Sequence, residues 1–287
     1  MTNYHTNNHL HVTDVTLMVK NLNTSLDFYT KVLGLKVIEQ TDSSAVLGTH
    51  TNHVLLHLIE NKNALPKLRT TGLYHYALLF RNRADLGQIL KHFIRLKQMI
   101  SGGADHGISE AIYLDDPDGN GIELAVDRED YKYKYTPDGE IDLLADNLPM
   151  DYEDLITKAN PLPFTKIPDD SIMGHLHLHV ANMDLAKHFF IDLLGFQSMF
   201  NYQANAHFIS DQKYHHHVAF NLWNGRNIPN NPADSIGLKA YAINVPQSRY
   251  EGLINHLIEN NITIYKEMDT NYIVDVNDVK VYLKSQE

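Results

Sequence analysis

The stretch from His106 to Glu123 holds a histidine, a tyrosine and a carboxylate on strand-like runs either side of a tight turn. The run through Tyr113 reads as one strand, Asp116-Pro-Asp-Gly-Asn-Gly121 as the turn, and Ile122-Glu123 as the entry to a second strand. One carboxylate is thereby fixed on a rigid element. His75 opens the run His-Tyr-Ala-Leu-Leu-Phe80, and His175 opens His-Leu-His-Leu-His-Val180. Two imidazoles and one carboxylate on strands are what an open two-His-one-carboxylate metal site requires.

Histidine is common here, 18 in 287 residues, and a lone strand histidine is more often a satisfied structural residue. Position changes those odds, because His75 and His175 occupy the same place in two copies of a repeated unit. His175, His177 and His179 alternate with Leu176 and Leu178, so the imidazoles share one face and line either solvent or a cavity. His215, His216 and His217 form a second cluster, for which a chance run in a loop is the plain alternative.

The repeated unit is β-α-β-β-β. From Asp14 the chain gives a short apolar strand, then Leu26 to Leu33 with apolar residues at three- and four-residue steps, a stop at Gly34, and three strand-like runs. The same order returns from Met173, where the helix Asp184 to Leu194 stops at Gly195. Further copies begin at Gly72, with a helix over 84–97, and at Gly237, with a helix over 248–260. Four coincidences of strand, helix and strands predict an α+β fold of four βαβββ units arranged as two paired-module domains. The expected boundaries are 9–127 for an N-terminal domain of two modules, 128–171 for a proline-bearing connector with a short helix near 151–158, and 172–287 for a C-terminal domain of two modules. One such unit leaves the concave face of its sheet bare, so units must pair, and strand residues of matching parity then point into a shared cup.

A net charge of −11 argues against general affinity for nucleic acid or an anionic membrane surface and favours a small-molecule partner. With no cysteine there is no disulfide, thiolate nucleophile or zinc–thiolate site. The opening residues are polar and no stretch is apolar enough to span a bilayer, so the cytoplasm is the expected compartment. A homo-oligomer is compatible with this composition.

These units resemble the vicinal oxygen chelate superfamily, and the stretch from His106 resembles the signature of extradiol ring-cleaving dioxygenases. The chain fits that signature at His106, Ile112, Tyr113, Asp116, Pro117, Gly119 and Glu123, and departs from it at Ala104. Gly174-His175, with the helix and Leu-Leu-Gly-Phe196 behind it, is similar to the family's first-ligand segment, and His-His-His-Val-Ala-Phe220 to the segment carrying its acid–base histidine. The likeness covers nearly the whole chain and points to short catechol 2,3-dioxygenases. It implies Fe(II) as cofactor, held by His75, Glu123 and His175, and a small aromatic diol and O₂ as partners. It further implies that Tyr113 and His106 hydrogen-bond the substrate oxygens and that one member of the 215–217 cluster moves protons. Matching Val218-Ala219-Phe220 favours His216, although a bend in the run would select His215 or His217. His177, His215 and His217 are expected to touch the substrate.

One departure is large. In better-known members the signature lies in the fourth unit, yet here that unit has Ala240 and Lys280 where a His and a Glu would stand, and the first has Asp14. Only the second and third units are equipped. Two other readings remain: a glyoxalase-like isomerase or thiol transferase using Ni²⁺ or Zn²⁺, and a metal-free drug-binding protein of the same fold.

Overall fold

The computed structural model describes residues 4–129, 133–137, 140–142 and 148–285; parts of the connector therefore lie outside the described residues. Unit one comprises β1 (His11–Val19), α1 (Leu22–Lys31), β2 (Lys36–Gln40), β3 (Ser44–Gly48) and β4 (Val54–Glu60). Unit two comprises β5 (Gly72–Phe80), α2 (Arg83–Leu96), β6 (Gly102–Asp105), β7 (Ser109–Asp115) and β8 (Gly121–Asp127). The connector adds β9 (Leu148–Pro149) and α3 (Tyr152–Thr157). Unit three follows with β10 (Ile172–His179), α4 (Met183–Lys187), β11 (Gln197–Tyr202), β12 (Ala206–Ser210) and β13 (Val218–Asn221). Unit four closes the chain with β14 (Gly237–Asn244), α5 (Gln247–Glu259), β15 (Tyr265–Glu267), β16 (Thr270–Val274) and β17 (Lys280–Lys284).

The repetition extends to how the helices begin. Asn21, Asn82 and Asn182 each stand at an N-cap, their side-chain oxygens accepting from Thr24 N, from Asp85 N, and from Asp184 N and Leu185 N. The turn that follows α1 passes through Gly34, whose φ of 70° and close approach to Ile167 N, 2.7 Å from where a Cβ would sit, both demand glycine. In unit three the expected continuous α-helix instead widens into a π-helical turn over His188–Leu193. That widening buries the adjacent Phe189 and Phe190 together, with Phe190 stacked on Phe220 at 5.5 Å.

The sheets contradict the pairing expected from chain order. One has eight strands in the order β15-β16-β17-β14-β1-β4-β3-β2, and the other has nine in the order β11-β12-β13-β10-β5-β8-β7-β6-β9. Units one and four thus share one sheet through the antiparallel pair β1–β14, and units two and three share the other through β5–β10. Residues 127 and 172 still mark ends of units, but neither 9–127 nor 172–287 closes a sheet by itself. The cause is that unit pairing depends on which first strands hydrogen-bond, a long-range choice that a repeat does not encode.

On β5, Tyr76, Leu78 and Phe80 face away from the histidine side and join one apolar cluster that includes Leu176 and Leu178 of β10 and Val15 and Leu17 of β1. Tyr29 on α1 ties the sheets together: its hydroxyl donates to Asp116 at 2.8 Å and accepts from Tyr76 at 3.3 Å. The opposite faces are left as two cups. Among the described residues no helix is long and apolar enough to cross a membrane.

Candidate metal centre and substrate cavity

In the nine-stranded sheet, Ala77 of β5 lies opposite Glu123 of β8 on one side and opposite His175 of β10 on the other. His75 is two residues earlier on the same face. Ala77 has the smallest side chain that a strand favours over glycine, so the Glu123 and His175 side chains reach toward each other above it. Gly121 sets the approach of β8, because a Cβ there would stand 2.2 Å from Tyr74 O.

The result is a compact triangle. Glu123 Oε2 lies 3.0 Å from His75 Nε2 and 3.2 Å from His175 Nε2, and the two nitrogens are 3.3 Å apart. All three residues are buried, and among the described residues they alone form a group of three such ligands. Adjacent donors of an octahedral ion with bonds of roughly 2.1–2.2 Å stand about 3.0–3.1 Å apart, so the triangle fits one face of such a coordination shell. Burial would raise the Glu123 carboxyl, but the imidazoles of His175 and His75 outweigh it and hold Glu123 well below the usual carboxylate range. Burial pushes His75 down despite the pull of Glu123. An ionised carboxylate and a neutral imidazole are the forms that bind a metal.

A cavity of about 370 Å³ opens above the triangle. Tyr113, His106, His177 and His216 border the ligands, while Ile108, Phe200, Tyr202 and Phe208 form an apolar wall. Tyr74 and Trp223, 37% and 47% exposed, stand among the lining side chains with access to solvent. Tyr113 pairs with Glu123 across β7 and β8, and its hydroxyl lies 2.9 Å from His106 Nε2. Burial first, and then the Glu123 charge, push the Tyr113 phenol well above its ordinary value, so it stays protonated. His177 Nε2 accepts from Asn221 Nδ2 at 2.9 Å, which assigns its proton to Nδ1 if neutral.

The 215–217 run lies in a bent segment before β13, and its imidazoles diverge. His216 lines the cavity with its ring 4.2 Å from that of His175. His215 and His217 do not line it. His215 turns to Asp127, with Nε2 2.9 Å from Oδ1, and His217 Nε2 donates to the Tyr4 carbonyl at 3.0 Å behind the wall. Asp127 ends β8, and Tyr214 also donates to it at 2.9 Å. Its place four residues after Glu123 puts it on the same strand face, the one sequence signal that could have marked it. The aromatic wall left no such signal, since Phe200, Tyr202 and Phe208 read as ordinary strand residues.

In the other cup Asp14 accepts from Lys284 at 2.6 Å and lies 3.3 Å from His57 Nε2, while Lys280 donates to Glu267 at 2.7 Å. Ala240 stands opposite Lys280.

The sequence profile described as Glyoxalase/Bleomycin resistance protein/Dioxygenase superfamily matches residues 9–124. Over 263 residues, 91% of this chain and 90% of the relative, the sequence is 38% identical to Catechol-2,3-dioxygenase of Bacillus subtilis (strain 168). The chain belongs to the glyoxalase/bleomycin resistance/dioxygenase superfamily. Solved structures share the fold: glyoxalase I from Zea mays superposes with a TM-score of 0.57 at 15% identity, covering 96% of this chain and 92% of that one. The cppA protein from Streptococcus pneumoniae TIGR4 superposes with a TM-score of 0.56 at 12% identity, covering 96% and 99%. At these identities the likeness is one of fold, which in this superfamily member takes the form of four βαβββ units on two sheets.

Proposed function

We propose that this chain is an extradiol dioxygenase that inserts O₂ into a catechol at an Fe(II) site made by His75, Glu123 and His175. The observation that carries the reading is the buried three-donor triangle at the floor of a cavity bordered by Tyr113, His106 and His216. The 38% identical relative named Catechol-2,3-dioxygenase supports it. A ferrous ion bound there would supply open coordination positions for a bidentate diol and for O₂.

The remaining work falls to the protein's own groups. His215 uses Nε2 to meet the Asp127 carboxylate, which as an anion can only accept; His215 Nδ1 then accepts from His216 Nδ1 at 2.8 Å. The His216 Nε2 lone pair is left for a substrate hydroxyl proton. Burial, followed by the neighbouring imidazoles of His175 and His215, pushes His216 well below its ordinary value, so it is neutral and ready to accept. Tyr113 and His106 supply the hydrogen bonds that orient the diol oxygens. Among the described residues the cavity lining holds no lysine or arginine, so it favours neutral catechols with apolar substituents against the aromatic wall. Glu123, the one carboxylate of the lining among the described residues, does not make the Glu- or Gln-rich set that a glyoxalase-like isomerase wants.

The test is anaerobic loading with Fe(II), addition of 3-methylcatechol, and admission of air while the yellow ring-opened product is followed. Tight iron binding without product sinks the dioxygenase reading and leaves the metal site standing.

A further inference from the structure

Asn221 is fully buried at the end of β13, across from His179 of β10. Its side-chain amide makes three hydrogen bonds, and one of them fixes the other two. The backbone amide of Trp223 donates to it at 3.0 Å, and a backbone N–H can only donate, so the atom facing it is the oxygen, Oδ1. Oδ1 also accepts from His179 Nδ1 at 2.7 Å. Nδ2 is left for His177, 2.9 Å from its Nε2. An amide nitrogen donates and does not accept, so His177 Nε2 is the acceptor and the proton of this imidazole sits on Nδ1.

His177 lines the cavity, its ring centroid 5.0 Å from that of His75, and its Nδ1 has no hydrogen-bond partner among the described residues. It stands two residues from His175 on the same face of β10. Two imidazoles of opposite polarity therefore line the cavity. His216 offers a lone pair, because Asp127 acts on it through His215, and His177 offers an N–H, because Asn221 holds its other nitrogen. A donor beside the ligand triangle suits an oxygen that carries negative charge. We propose that Asn221 is a positioning residue that makes His177 a hydrogen-bond donor to an oxygen held over the triangle, on the diol or on O₂. The use of that N–H rests on the diol and O₂ reading of this cavity, whereas the tautomer stands without it.

Asn221→Asp tests this, because a carboxylate of nearly the same shape only accepts. It keeps the bonds from Trp223 N and His179 Nδ1 but requires His177 Nε2 to donate, which takes the proton from Nδ1. In the full-length iron-free protein with ¹⁵N-labelled histidine, NMR should show His177 as the Nδ1–H tautomer, and in Asn221→Asp as the Nε2–H tautomer. Its signals are assigned by their absence from His177→Phe. In the Fe(II)-loaded protein held anaerobic, 4-nitrocatechol should bind about ten-fold more weakly to Asn221→Asp and to His177→Phe where the donor meets the diol. Where it meets O₂, that affinity holds and KM for O₂ rises about ten-fold instead. In both cases Asn221→Asp should add nothing in the His177→Phe background, which an amide with a merely structural role would not obey. Circular dichroism checks folding, and His177→Phe, which leaves Asn221 in place, carries the test should Asn221→Asp unfold. An Nε2–H tautomer in wild type, an Nδ1 proton retained in Asn221→Asp, 4-nitrocatechol affinity and KM for O₂ both unmoved in His177→Phe, or additive losses in the double variant would each overturn the assignment. Failure of the dioxygenase reading shows differently, as an iron-loaded wild type that gives no ring-opened product while His177 keeps its Nδ1 proton.

Discussion

His215 Nδ1 lies 2.8 Å from His216 Nδ1, and because the other His215 nitrogen faces the Asp127 carboxylate, the shared proton sits on His216. A buried carboxylate thus dictates which nitrogen of a cavity-lining imidazole is free to act as a base. His216→Phe is expected to keep Fe(II) and to lose about 10²- to 10⁴-fold in kcat, the usual worth of a positioned proton carrier. His215→Phe is expected to lose less. Turnover of 3-methylcatechol at the parent rate by His216→Phe would move the role elsewhere.

Asp127→Asn presents an amide where His215 now donates to a carboxylate. Its Nδ2 can donate to His215 Nε2, which reverses the tautomer and turns His216 Nε2 into a donor. We expect kcat to fall while KM changes little. A rise in KM alone, with kcat kept, would show that Asp127 only packs.

The three ligands are expected to be individually necessary. His75→Ala, His175→Ala and Glu123→Ala each leave two donors, too few to hold the ion against water. Iron content by atomic absorption should fall in all three. Asp14→Ala and Lys280→Ala, both in the other cup, should keep full occupancy, and a drop in either would place the iron in the wrong sheet.

Ala77 is expected to be as important as a ligand without touching the metal. Leucine at this fully buried position fills the gap between Glu123 and His175 and costs about 1–3 kcal/mol in overpacking. Ala77→Leu should fold, with a lowered melting temperature, yet lose iron. Wild-type occupancy in the folded variant would refute the close approach.

Asp275 gives a pH dependence with a definite sign. Burial lifts its carboxyl from 3.8 to about 6, although the amides of Val279 and Asn277 and the Tyr241 hydroxyl pull it down. The folded state therefore binds more protons than the unfolded state between those values, and the group's contribution becomes more favourable as pH falls through about 6 toward 3.8. One extra bound proton is worth about 1.4 kcal/mol for each pH step between the two values, so wild type should gain a few kcal/mol relative to Asp275→Asn on going from about pH 7.5 to about pH 4. Urea midpoints that stay a constant distance apart over this range would rule out the raised carboxyl.

The sequence by itself determined the four units, since strand alternation, helical periodicity and the glycine after a helix are local properties that each copy repeats. It also singled out His75, Glu123 and His175, because strand parity places each on a cup-facing surface whatever that strand pairs with. The choice of units two and three as the ones equipped to hold a metal followed from side-chain type, imidazole and carboxylate there against Asp14, Ala240 and Lys280 in the other two. Tertiary structure alone decided that unit one joins unit four and unit two joins unit three, because hydrogen bonding between β1 and β14 and between β5 and β10 is set by the whole fold. It alone turned His215 to Asp127 and His217 to Tyr4, since a bent segment has no fixed parity. The aromatic wall became visible in the same way: Phe200 and Phe208 lie on neighbouring strands that only the folded sheet brings over the ligands.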